Sequence, residues 1–234
     1  GSYTSDITIG GTTLVASGFT FGGFVAQLST AGTPTCVTAV GNGDGTNIVR
    51  GVAIGANNDV LITGELQGTA TIADGEEIST TINISSGLSS ADAFVAKLDA
   101  SGALQWTRSM GSGRVDRGHL ASWNGSDSYV VALLMTADYE ETVNVEGTIV
   151  DTGEYGDIVL IRYDSDGTAL SVSQQASPVT EEPKGMVATD TGVVLAGEFM
   201  GTLKMSGTYV TNAGGSWTDV QPADLFVTTI HELP

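Results

Sequence analysis

Residues 92–106 read Asp92-Ala93-Phe94-Val95-Ala96-Lys97-Leu98-Asp99-Ala100-Ser101-Gly102-Ala103-Leu104-Gln105-Trp106. Phe94 to Leu98 is apolar with one polar interruption, too short for a helix and rich in strand formers. Asp99-Ala100-Ser101-Gly102 is a turn, because Asp bonds its own backbone and Gly accepts left-handed angles. A second strand, Leu104-Gln105-Trp106-Thr107, follows. Strand, turn and strand in sixteen residues (92–107) predict a β-hairpin.

The hairpin recurs. Phe24-Val25-Ala26-Gln27-Leu28, Ile158-Val159-Leu160-Ile161-Arg162 and Phe226-Val227-Thr228-Thr229-Ile230 align with Phe94 to Leu98, so the starts are spaced 70, 64 and 68 residues apart. Asp92, Asp157 and Asp224 precede three of these strands. Further strands keep pace: Gly51-Val52-Ala53-Ile54, Gly118-His119-Leu120-Ala121 and Gly185-Met186-Val187-Ala188, each followed by a buried-type run at Val60, Val130 or Val193. Small hairpins begin near Asp6, Thr69, Thr142 and Thr202. No stretch sustains a helical period, so the chain is expected to be all-β. Four strands per repeat predict a β-propeller-like array of four-stranded blades, because one twisted sheet buries both faces only between neighbours. About three and a half units of 64–70 residues fill one repeat-built domain over 1–234: roughly 24–93, 94–157 and 158–225, with 1–23 and 226–234 as partial units.

Residues 92–106 closely resemble the SBBP-type (seven-bladed β-propeller) repeat of bacterial surface and secreted proteins. The likeness runs through nearly the whole chain in degraded copies. It implies a propeller fold and an extracellular or cell-surface location, and it points to no particular activity. Three to four units sit at or below the usual lower limit of four blades. The chain is expected to close as a small propeller, to be part of a larger one, or to join copies of itself through unpaired terminal strands as a homo-oligomer. A three-sheet prism is a more distant alternative.

Composition narrows the partners. The 234 residues hold 8 Lys+Arg against 27 Asp+Glu, a net charge of −19, and this argues against nucleic acid and against a basic membrane-surface helix. No apolar run approaches the ~18 residues of a spanning helix, so no membrane insertion is expected. The first residues, Gly1-Ser2-Tyr3, carry no leader pattern. The lone Cys36 closes no intramolecular disulfide and builds no Cys-based zinc site.

Candidate chemistry is sparse. His119 and His231 lack metal-ligand spacing, and no nucleophile elbow appears. The chain is therefore expected not to be an enzyme, with a pore-site lyase using His119 as the outside alternative. Asp164-Ser165-Asp166-Gly167 resembles the start of a calcium loop, and Asp44 lies in a second oxygen-rich loop. Both also read as plain turns, so Asp164, Asp166 and Asp44 are weak metal candidates; no cofactor is expected, with calcium as the outside alternative. Trp106 reads as core. The loops before the Phe-Val strand carry Phe19 and Phe21, Tyr155 and Trp217, and Trp123 stands at the opposite edge of a blade. Aromatic faces beside Asp, Asn and Ser suit sugar stacking or protein contact, and they also pack under loops. The leading expectation is a recognition or adhesion module binding a surface glycan or protein through these loops. A structural or oligomer-forming domain of a large surface protein is the second.

Overall fold

The computed structural model describes residues 1–16, 21–41, 45–73, 77–79, 91–134, 142–151, 156–175, 181–205, 208–211 and 224–231. Its strands form four main antiparallel sheets. Sheet I joins β1 (Ser2–Tyr3) to β4 (Gly22–Leu28) and β5 (Pro34–Val40), with the hairpin β2 (Ile7–Ile9) and β3 (Thr12–Leu14) between them. Sheet II runs β6 (Asn47–Ile54), β7 (Val60–Leu66), β10 (Asp92–Leu98), β11 (Leu104–Met110), with the hairpin β8 (Thr69–Thr71) and β9 (Glu77–Ser79). Sheet III repeats that order as β12 (Arg117–Trp123), β13 (Ser128–Leu134), β16 (Asp157–Tyr163), β17 (Ala169–Gln175), with β14 (Val143–Val145) and β15 (Thr148–Val150). Sheet IV holds β18 (Glu181–Thr189), β19 (Gly192–Phe199) and β22 (Asp224–His231), with β20 (Thr202–Met205) and β21 (Thr208–Thr211). The all-β class and the strand–turn–strand reading of 92–106 hold. Each four-stranded sheet straddles two of the units counted from the Phe-Val strand.

The cores lie between consecutive sheets. Val40 and Val49 join Ile62, Leu66, Phe94 and Leu98 between sheets I and II. Leu61, Ala93, Val95 and Trp106 meet Val130, Ala132, Ile161 and Tyr163 between II and III. Tyr129, Val131, Ile158 and Leu160 meet Val193, Leu195, Phe199 and Phe226 between III and IV. Alternate residues of one strand serve opposite cores, as the two-residue period of a strand requires. β7, β10 and β13 are therefore buried along their whole length. The small hairpins roof these cores with Ala70 and Ile72, Val143 and Val145, and Leu203 and Met205.

Two registers differ by one residue from the sequence alignment. The ladders pair Phe94 with Gly64, Val159 with Ala132 and Phe226 with Gly197, so Val159 rather than Ile158 occupies the place of Phe94. Asp92, Asp157 and Asp224 then share one ladder position. The second shift is a bulge in each inner strand, between Val49 and Gly51, between Gly118 and Leu120, and between Pro183 and Gly185. Leu120, not Gly118, is the ladder equivalent of Gly51 and Gly185.

The turns repeat closely. Asp99 N–H bonds Ala103 O, and Gly102 N–H bonds Asp99 O; the same pair of bonds closes Asp164–Thr168 and Ser29–Thr33. Gly32, Gly102 and Gly167 have φ of +78°, +86° and +78°, where a Cβ is strained. Each of the last two turns docks on the outer strand of the preceding sheet. Cys36 Sγ donates to Ser101 O at 3.1 Å, and Trp106 Nε1 donates to Ser165 O at 3.0 Å.

Among the described residues no ladder joins sheet I to sheet IV and no closed barrel forms. β1 pairs with β4, and β22 with β19.

Candidate functional site

The inner strands β6, β12 and β18 stand side by side. A bulge twists a strand locally and re-aims one side chain. The bulged residue is Arg50 in β6, His119 in β12 and Lys184 in β18, so three basic side-chain types occupy one ladder position. Carboxylates meet them. Glu65 on β7 is buried and takes Arg50 Nη2 on Oε1 at 2.8 Å and Arg117 Nε on Oε2 at 3.0 Å. The first bond lies within sheet II and the second ties sheet II to sheet III. In sheet IV, Lys184 Nζ lies 2.8 Å from Glu182 Oε1 and 3.8 Å from Glu198 Oε2. By ladder position Glu198 is the counterpart of Glu65, and Leu133 takes that place in sheet III.

His119 sits inside this network. Burial, and then the Arg50 and Arg117 guanidiniums, push its imidazole down to about 4, while Glu182 and Glu65 pull more weakly the other way. It is therefore neutral at pH 7. Its Nε2 is buried with no hydrogen-bond partner among the described residues. The hydrogen bond from Lys184 holds the Glu182 carboxyl below the usual range, and the same bond raises Lys184. The Glu65 and Glu182 carboxylates are thus engaged by cations. The cluster has a sequence signal: Arg50-Gly51, Arg117-Gly118 and Lys184-Gly185 place a base before glycine at a constant 67-residue spacing.

The aromatic candidates divide. Phe19, Tyr155 and Trp217 lie outside the described residues, as does Asp44. Phe21 is exposed at the start of sheet I, bridges to Thr46, and its carbonyl accepts Asn47 N–H at 2.8 Å. Trp123 is half-buried at the end of β12 and packs into the core between sheets II and III. Lys97 Nζ stands 5.4 Å from the centre of its ring, and Gly55 lies against the ring face. Phe21 and Trp123 thus flank opposite ends of β6 and do not form one site. Trp106 is core, 8% exposed.

Asp164 and Asp166 occupy a hairpin turn. Asp164 Oδ1 accepts from Asp166 N at 2.9 Å and Thr168 N at 2.8 Å, and Asp166 Oδ1 accepts from Ser165 Oγ at 3.2 Å. The matching Asp99 Oδ1 accepts from the Ser101 hydroxyl and from the Ser101 and Ala103 amides, which lowers its carboxyl from the ordinary value, the Ser101 hydroxyl contributing most. These carboxylates organise turns. Among the described residues no three His, Cys, Asp or Glu come together to hold a metal. No described helix is long and apolar enough to cross a membrane.

Fold and cluster define an all-β protein of consecutive antiparallel sheets whose inner strands carry a self-compensated charge network. Compared with protein-family models and with curated proteins, the chain matches none.

Proposed function

We propose that this chain is a non-enzymatic recognition module of a bacterial surface or secreted protein, built as part of a β-propeller, that binds a glycan or protein through the loops before β4, β10, β16 and β22. The supporting observation is the contrast between frame and loops. The turn bonds, the basic bulge and the aspartate that opens the third strand recur at fixed ladder positions. The segments between them, 15–21, 80–91, 151–156 and 212–223, differ in length and carry Phe19 and Phe21, no aromatic, Tyr155, and Trp217. Variable loops on a repeated frame are where recognition surfaces arise. Asn212, Ser216 and Asp219 around Trp217 favour a sugar ring, which stacks its apolar face and bonds through its hydroxyls. A glycan array with the wild type and with Trp217→Ala tests this. Loss of binding in the variant supports the loop reading, and unchanged binding overturns it.

A structural or oligomer-forming role is the second reading, supported by the apolar faces left open at both ends of the array. A pore-site lyase is not favoured, because the Glu65 and Glu182 carboxylates near His119 are already engaged by Arg50, Arg117 and Lys184.

A further inference from the structure

Each sheet has a face toward the preceding sheet and a face toward the following one, and equivalent ladder positions let these faces be compared. On the following face, Ala93 and Val95 of sheet II are 1% and 0% exposed, and Ile158 and Leu160 of sheet III are 0% and 6% exposed. Their counterparts in sheet IV, Leu225 and Val227, are 78% and 75% exposed, and Val187 on β18 beside them is 62% exposed. Sheet IV thus carries apolar residues at the same positions, and no sheet among the described residues lies over them. The opposite end of the array mirrors this. Leu98, Tyr163 and Ile230 are buried on the preceding faces of sheets II, III and IV, whereas Leu28 of sheet I is 60% exposed. Val52 and Ile54 on β6 are exposed on the preceding face of sheet II, paired with Ile62 and Val60, and with Val25 and Leu28 of sheet I they line a cleft of about 370 Å³ at the open boundary of sheets I and II.

We infer that the two ends belong together between molecules: the following face of sheet IV docks on the preceding face of sheet I of a second copy, head to tail. The warrant is continuity with three interfaces inside the chain, I on II, II on III and III on IV. Each is made by a following face and a preceding face of this kind. A single chain does not use this contact on itself, since Leu225 and Val227 stand open while Leu28 stands open too. The contact is heterologous, and repeated use of it gives a ring or an open filament rather than a two-fold dimer. The inference is independent of any glycan or protein bound by the loops.

The test is the molecular mass of the full chain by light scattering across a concentration series, with Val227→Lys and Leu28→Glu as end-specific variants. Expected are a mass that rises with concentration for the wild type and loss of that rise in each variant alone. An equimolar mixture of the two variants is expected to form a species of twice the chain mass, because each keeps the end the other has lost. Circular dichroism of both variants checks that these exposed positions leave the fold intact, and Leu225→Lys replaces Val227→Lys if it does not. A wild type that stays monomeric overturns the inference, and so does a Leu28→Glu variant that still self-associates, since that result points to a two-fold contact of sheet IV alone.

Discussion

The junction between sheets II and III and the open side of sheet IV are built from equivalent sequence and behave differently. At the junction a Cβ on Gly118 would meet Thr63 Oγ1 and the Gly64 backbone, and one on Gly51 would meet Thr63 and the β12 backbone. A Cβ on Gly185, the ladder counterpart of Gly51, meets nothing within 4 Å. Glu65 is 6% exposed and bridges two arginines across sheets, while its counterpart Glu198 is 41% exposed and only approaches Lys184. A repeat therefore fixes residue type but not energetic weight. A neighbouring sheet supplies the weight by excluding water and closing the backbone approach.

Substitutions at paired positions can break this comparison. The largest effect is expected from Gly51→Val, which forces β12 off β6. A loss of about 3 kcal/mol or more in urea unfolding is expected, as for other overpacked cores; Gly185→Ala is expected to be neutral or slightly stabilising. Next comes Glu65→Ala, which leaves two half-buried guanidiniums without their shared carboxylate and is expected to cost about 2–3 kcal/mol. Glu198→Ala, measured in the same way, should stay within about 0.5 kcal/mol.

The third effect is acid sensitivity. His119 titrates near 4 in the fold against 6.5 for a free imidazole, so on acidification the unfolded chain takes up its proton first. The His119 contribution is complete above pH 6.5 and is lost as pH falls toward 4. Its upper bound is about 3 kcal/mol, smaller once solvent screening is included. Urea midpoints from pH 7 to 4 should therefore fall more steeply for the wild type than for His119→Gln. The smallest effect is expected from calcium. Asp164 Oδ1 already serves two amides, so millimolar calcium followed by a chelator should leave the melting temperature unchanged.

Much of this frame was readable in advance. The runs at Val60, Val130 and Val193 are too short and too apolar to be anything but covered strands, and Asp-x-x-Gly fixes its own turn locally. The one-residue shifts at Val159 and His119 were not readable, because a bulge adds a residue without altering the apolar alternation that reveals a strand. The charge network was hidden for a different reason: Arg117 and Glu65 are 52 residues apart and meet only when two sheets stack. Trp123 read as an edge aromatic because its strand ends in a turn, yet Lys97 and Gly55 come from the neighbouring sheet to cover it.

The docking of the 99–103 turn on β5 has a practical consequence. Cys36, the chain's single thiol, gives its hydrogen to Ser101 O and lies against Gly102. Its half-buried sulfur is held against that turn and becomes fully free when the turn lifts. The rate at which a thiol reagent labels the native chain, compared with the unfolded chain, reports on the contact at the sheet I–II boundary with no probe introduced. The protein carries its own gauge of fraying at its amino-terminal sheet.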